Sequence, residues 1–143
     1  MSSATQMRIR DFLDAYAAAA LAGDAETVSN SYFSTYLEAA PSTIEAFKVD
    51  ADYGHAVETK ALAMQRLGLA ASEIKVIGTT PLASDHFLVD AEWWLRFAPE
   101  GANAAESRFK VSYVIRVRKD GPKILLALSH EDEEKALRGL GLA

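Results

Sequence analysis

The stretch "AYAAAALAGDAETVSNSYF", residues 15–33, decides the first half of the fold. Its apolar residues recur at helical spacing as far as Gly23, a residue suited to the left-handed turn that ends a helix. Asp24 is a good N-cap for a second helix, and Val28 with Tyr32 gives that short helix an apolar side. The stretch therefore predicts two helices that are joined at Gly23 and Asp24 and pack as a helical hairpin.

The sequence on either side of this hairpin extends the pattern. Upstream, Ser3 followed by Gln6 has the spacing of a capping box, which predicts that the first helix begins there. Downstream, residues 33–37 have an extended pattern, and "PST" at 41–43 is typical of a turn into a second short strand over 44–49. The expected order is thus helix, helix and strand hairpin.

A third helix and a β-rich half follow. Asp50 and Gly68 suit the start and the end of the helix. The strand after it has one apolar face, formed by Phe87, Val89, Ala91, Trp93, Leu95 and Phe97. Residues 109–117 repeat the alternation, and the Asp-Gly turn in "KDGPK", residues 119–123, leads into a last strand. These strands should form an antiparallel meander whose last strand turns Ile124, Leu126, Leu128 and His130 inward.

Composition narrows the class of protein. A chain of 143 residues, half of them apolar, fits one domain over residues 1–143. The net charge of −5, the absence of cysteine and the lack of a long apolar run argue against nucleic acid and membranes as partners and favour a soluble, cytoplasmic protein. Its three histidines are scattered, which predicts neither a metal site nor a cofactor.

The order of elements, with "AYAAAALAGDAETVSNSYF" followed by "YLEAAP", resembles the nuclear-transport-factor-2-like superfamily, which includes ketosteroid isomerases and polyketide cyclases. The resemblance implies an α+β, cystatin-like cone in which the helical hairpin and the third helix pack on a curved, mainly antiparallel sheet. It also implies an apolar pocket inside the cone and a homodimer formed through the outer face of the sheet.

Alignment with the ketosteroid isomerases gives the candidate site residues. Tyr16 and Tyr32 match tyrosines of a hydrogen-bonded pocket network, and Tyr113 matches the acid that helps to hold the oxyanion. Ala40 stands where the isomerases have the aspartate that moves the proton. Because an alanine cannot accept a proton, the resemblance does not imply isomerase activity here.

Two other residues could carry acid–base chemistry. Glu38 lies two residues before Ala40, so a regular strand turns both to one face; a base there must be buried, whereas a carboxylate at the pocket rim would be solvated or paired with a cation. His130, expected to point inward, could act as an acid or a base. It could equally bond a backbone carbonyl or help to cap the final helix.

The adjacent tryptophans must face opposite sides of their strand. Trp93 belongs to the inner set, where it either stacks on a flat ligand or fills the core. Trp94 lies on the outer face with Leu88, near Val114 and Leu125, and an apolar outer face predicts a homodimer. A local loop covering Trp94 is the alternative.

The leading hypothesis is a protein that binds a small apolar or aromatic molecule without a cofactor. Its predicted ligand contacts are Tyr16, Tyr32, Tyr36, Ala40, Trp93 and Tyr113. One alternative is an acid–base enzyme, an isomerase, dehydratase or cyclase, that uses Glu38 or His130. Another is an adaptor that binds a protein partner through the outer sheet.

Overall fold

The computed structural model describes residues 2–139, and within this range the chain forms four helices and six strands. The elements are α1 (Ser3–Ala22), α2 (Ala25–Asn30), β1 (Tyr32–Ala40), β2 (Thr43–Lys48), α3 (Ala51–Arg66), β3 (Leu69–Ala83), β4 (His86–Phe97), β5 (Ala105–Arg118), β6 (Gly121–Ser129) and α4 (Glu133–Gly139). The single-domain prediction over 1–143 includes residues 1 and 140–143, which lie outside the described part, and it stays a prediction.

The helix ends follow the capping residues of the sequence. Gly23 ends α1 in the left-handed conformation, with φ of 72°. Asp24 caps α2 by accepting the Thr27 N–H, and Asp50 caps α3 in the same way. The prediction that Ser3 caps α1 is wrong by one residue. Ser2 is the cap, and its hydroxyl accepts the N–H of residue 5 at 3.1 Å.

The six strands form one sheet in the order β2-β1-β6-β5-β4-β3. Four of the five pairings are antiparallel, and only β1 with β6 is parallel. The helices pack on one face of this sheet, where Ile9 and Leu13 of α1 are fully buried. The predicted α+β class, with a helical hairpin and a third helix on a mainly antiparallel sheet, is confirmed.

A β-bulge in β6 changes which side chains face inward. Ile124 lies opposite Ile115 on the buried face, but Leu126 lies opposite Val114 on the other face, because Leu125 is an extra residue between them. The alternation is therefore shifted by one for the rest of the strand. The predicted inward set is wrong beyond the first position: Ala127 is buried, whereas residue 128 is 42% exposed.

No helix in the described range is long and apolar enough to cross a membrane. The longest, α1, has 20 residues and carries four charged residues, Arg8, Arg10, Asp11 and Asp14. The expected cytoplasmic location stays a prediction.

Candidate functional site

All five tyrosines of the chain meet on the concave side of the sheet. Tyr16 comes from α1, Tyr53 from α3, Tyr113 from β5, and Tyr32 and Tyr36 from β1. The two β1 residues are four positions apart, so strand alternation turns both toward the helices. The helical hairpin and the sheet together thus gather phenol groups from four different elements.

The first hydrogen-bonded group lies deepest in the cone. The hydroxyl oxygens of Tyr16 and Tyr32 are 2.6 Å apart. The Trp93 indole N–H donates to the Tyr113 hydroxyl at 2.8 Å, and the Tyr16 ring meets the Trp93 ring edge-on with centroids 6.0 Å apart. The hydrogen bond that the resemblance implied between Tyr16 and Tyr32 is present. Ligand contact by these residues stays a prediction.

Burial keeps these three tyrosines protonated. Loss of hydration raises the pKa of Tyr16, Tyr32 and Tyr113 above the ordinary tyrosine value. The neighbouring phenols raise the pKa of Tyr32 and Tyr113 further, because two phenolates so close would repel one another. At neutral pH the group is therefore a set of uncharged hydrogen-bond donors.

Two of the three phenolic protons have no acceptor among the groups that the structure describes. Each phenol carries one proton, and the bond between Tyr16 and Tyr32 uses only one of their two. Tyr113 accepts from Trp93, so its own proton takes no part in that bond. The deep group therefore has two unused O–H donors in a place where water is largely excluded.

A second group of hydrogen-bonded side chains lies nearer the rim, and the donor of each of its hydrogen bonds can be assigned. The single proton of Tyr36 goes to a Glu38 carboxylate oxygen at 2.7 Å, since a carboxylate can only accept. The Tyr53 hydroxyl, also 2.7 Å from that of Tyr36, must then be the donor of the second bond. Burial and the Glu38 charge both raise the pKa of Tyr36 and Tyr53. Tyr32 links the two groups, because its ring stacks on Tyr36 with centroids 4.0 Å apart.

Glu38 itself is exposed at the rim. This matches the prediction of a rim carboxylate, but its partner is a tyrosine and not a lysine or an arginine. Ala40 ends β1, half-buried opposite Thr43. Tyr53 is the residue that sequence reasoning missed. The one sequence signal for it was a phenol in the first turn of α3, three residues after the Asp50 cap.

Helix α4 closes the wide end of the cone. Its Leu137 is 9% exposed and faces the inner side of the sheet beside Leu95 and Phe109, where a cavity of only about 10 Å³ remains. Two polar contacts hold the start of the helix: Ser42 donates to Asp132 through its hydroxyl, at 2.8 Å, and its N–H, and Lys60 pairs with Glu133 at 3.0 Å. Asp132 thus bonds the β1–β2 turn, and the Ser129 hydroxyl donates to the Glu131 carbonyl.

The interior is filled by the chain's own rings. Trp93 stacks with Phe109 at a centroid distance of 6.3 Å, and Tyr36 stacks with Phe47 at 5.5 Å. Neither the cavity of about 10 Å³ beside α4 nor the groove of about 270 Å³ beside Trp94 is lined by a tyrosine.

His130 lies on the outer face, so the prediction that it points inward is wrong. The bulge in β6 shifts the alternation, and the imidazole Nε2 is 2.9 Å from the Ser112 hydroxyl. Ser112 donates its only proton to Asp90 at 2.6 Å, so Nε2 must be the donor to Ser112. No cluster of three metal-ligating side chains occurs among residues 2–139.

Trp94 lies on the outer face as predicted, but with different neighbours. Its strand partner is Arg108, whose guanidinium lies 6.0 Å from the indole centroid and pairs with Glu92 at 3.7 Å. The Trp94 indole N–H is buried and has no hydrogen-bond partner among the described residues. Beside it runs a groove of about 270 Å³. Val114 and Leu125, the predicted neighbours, lie farther along the sheet, where Val114 pairs with Leu88.

Comparison with known proteins identifies the fold. Neither a protein-family model nor a curated protein matches this chain. An NTF-2 like protein of unknown function from Shewanella oneidensis superposes with a TM-score of 0.67 at 12% identity, over 89% of this chain and 99% of that one. A domain of unknown function with a cystatin-like fold from Nostoc punctiforme gives 0.70 at 15%, over 99% and 86%. An NTF2-like protein from Novosphingobium aromaticivorans gives 0.64 at 16%, over 94% and 87%. The chain therefore has the nuclear-transport-factor-2-like fold that its sequence resembles.

Proposed function

We propose that the protein binds a small, planar, mostly apolar molecule that carries an oxygen acceptor such as a carbonyl group. The observation that carries this proposal is the pair of unused phenolic protons: one on Tyr113, and one on whichever of Tyr16 and Tyr32 accepts the hydrogen bond between them. A buried donor without an acceptor costs free energy, about 1–3 kcal/mol, and a ligand oxygen placed between these phenols removes that cost. The surrounding rings provide the apolar walls.

The route to this site passes beneath α4. The helix is held at its start by exposed polar contacts from Ser42 and Lys60, which are weak in water. Its buried anchor is Leu137. A helix of only seven residues opens at lower cost than the long paired strands below it. We therefore expect binding to displace α4 and to expose the tyrosine group to the ligand.

Binding is favoured over proton transfer. The enzyme hypothesis requires a buried base, but Glu38 is exposed and His130 lies on the opposite face of the sheet. We expect Glu38→Gln to leave ligand affinity unchanged, since the carboxylate lies at the rim and bonds Tyr36. Loss of a catalysed reaction in this variant would favour the enzyme hypothesis instead.

The binding proposal is tested with two probes of similar shape, acetylnaphthalene and ethylnaphthalene, which differ in the oxygen acceptor. Quenching of tryptophan fluorescence reports binding beside Trp93. We expect acetylnaphthalene to bind about fivefold more tightly than ethylnaphthalene, a ratio that corresponds to the net free energy of one hydrogen bond. Tyr113→Phe should abolish this preference, whereas Tyr53→Phe should retain it, because Tyr53 already donates to Tyr36. Equal affinity of the wild type for both probes would contradict the proposal.

We further propose that the outer face of the sheet forms a homodimer. Leu88, Val114, Leu126 and Leu37 lie opposite one another across four strands and form a continuous apolar row. Leu128 in the next row is 42% exposed. An apolar row of this kind on a sheet surface is typical of an interface. An adaptor that binds another protein through the same face is the alternative.

Sedimentation equilibrium tests the dimer. We expect a dimer for the wild type and a monomer for Leu128→Lys, which places a charge beside the apolar row. Leu62→Lys is the matched control, because Leu62 is a similarly exposed leucine, 52%, on α3. A wild-type monomer at every concentration would contradict the homodimer and leave the adaptor hypothesis. A monomer for both lysine variants would show that the face named here is not the interface.

A further inference from the structure

A row of basic side chains crosses the outer face where β5 turns into β6. His86 on β4 lies opposite Arg116 on β5, and Arg116 lies opposite Lys123 on β6. Like charges directly opposite one another destabilise a sheet. The row therefore disfavours the free protein unless a negative group lies over it.

No carboxylate among residues 2–139 forms a salt bridge with Arg116 or Lys123. Arg118, two residues along the same strand, does have one, because Asp85 lies 3.7 Å from it. The chain contains 20 acidic and 15 basic residues, so acids are not scarce. Even so, none of the described ion pairs places an acid on Arg116 or Lys123.

Both cations are held in position by neighbouring groups. The Arg116 guanidinium lies 4.3 Å from the centroid of the Phe33 ring, a stacking contact that leaves its edge N–H groups available. Lys123 donates to the carbonyl of Asn30 at the end of α2. Both side chains are half-buried, so they lose little freedom when a ligand binds. His86 is half-buried too, and its Nδ1–H donates to the Ser84 carbonyl at 2.7 Å.

We propose that Arg116 and Lys123, with His86 beside them, form a binding site for an oxyanion, the phosphate or carboxylate group of a small ligand. The flat guanidinium edge donates two parallel hydrogen bonds to such a group, and the ammonium adds a point charge. The site lies on the face opposite the tyrosine group. It therefore stands or falls independently of the ligand binding proposed for the tyrosine group.

The test is a titration of the protein with inorganic phosphate at neutral pH, followed by amide chemical shifts and by thermal unfolding. Sodium chloride keeps the ionic strength constant. We expect saturable shifts around Arg116, Lys123 and Phe33 and a rise in the unfolding temperature, since the anion binds only the folded state. Parallel titrations with acetate distinguish a phosphate site from a carboxylate site.

Two charge-removing variants and one control make the test specific. We expect Arg116→Gln and Lys123→Gln to weaken the binding of the preferred anion about tenfold, the effect of losing a charge-assisted hydrogen bond. Arg118→Gln removes the same charge from the same strand, but Asp85 already pairs with it, so the anion affinity should change little. Shifts that do not saturate with either anion, or an equal loss in Arg118→Gln, would overturn the proposal.

Discussion

Trp93 and Trp94 are the same side chain at adjacent positions, yet their indole groups have opposite surroundings. The Trp93 N–H donates to Tyr113 inside the cone, and the residue is 8% exposed. The Trp94 N–H is buried on the outer face with no acceptor among the described residues. Strand alternation alone separates the two.

The difference extends to the whole of each face. On the inner face, rings and hydroxyls from four elements pack and bond with one another. On the outer face, the Trp94 N–H has no acceptor among the described residues, Arg116 and Lys123 have no described acidic partner, and Leu128 is exposed. Folding thus packs the inner face and leaves two phenolic protons unused there, whereas the outer face has the features of a surface completed by binding.

The largest expected effect is a loss of stability at alkaline pH, which the buried tyrosines of the inner face cause. Burial raises the pKa of Tyr16, Tyr32 and Tyr113 in the folded state, so these groups stay protonated when unfolded tyrosines, with a pKa of 10.0, begin to ionise. The unfolded state then releases more protons, and stability falls as pH rises above that value. Each tyrosine contributes about 1.4 kcal/mol per pH unit, so the three together give about 4.

Tyrosinate absorbance followed together with circular dichroism checks this expectation. The tyrosines should ionise in one step that coincides with unfolding, and not one by one in the folded protein. In Tyr32→Phe the free energy of unfolding should fall less steeply with pH, by about 1.4 kcal/mol per pH unit. Ionisation near pH 10 with the native spectrum intact would show that these phenols are not buried as described.

The second prediction compares the contribution of each indole to stability by removing one at a time. Trp93→Ala should lower the free energy of unfolding by about 3–5 kcal/mol, because it leaves a cavity beneath Tyr16 and Phe109. Trp94→Ala should cost about 1 kcal/mol, since that side chain is half-buried at a surface. Urea denaturation of dilute protein measures both. Equal losses would mean that the outer indole is packed as firmly as the inner one.

Much of the fold could be predicted because local signals and global packing agree. Gly23, Asp24 and Asp50 act at the helix ends where the sequence places them, and the strict alternation of residues 86–97 gives the correct inner face of β4. Such signals depend on neighbours in sequence.

The errors arose where spacing between strands matters. The bulge at Leu125 depends on how β6 fits the curvature of the sheet, and a one-residue shift was enough to move His130 to the other face. Tyr53 joined the rim group through the packing of α3 against β1, which no local pattern of the sequence specifies. The filling of the cone by its own rings likewise depends on side-chain packing in three dimensions.

The smallest expected effect concerns only the indole N–H groups of Trp93 and Trp94. Trp93→Phe and Trp94→Phe remove the same atoms, but the first leaves the Tyr113 oxygen without its donor, whereas the second removes a donor that has no acceptor. We expect Trp93→Phe to be about 1–2 kcal/mol less stable than Trp94→Phe, because losing an unpaired buried polar group offsets part of the lost packing. Thermal unfolding of the two variants side by side measures this difference, and the shared ring contraction serves as the control. If both variants lose the same stability, the Trp94 N–H already has a partner in solution, and a second copy of the chain or bound water at the outer face would then supply it.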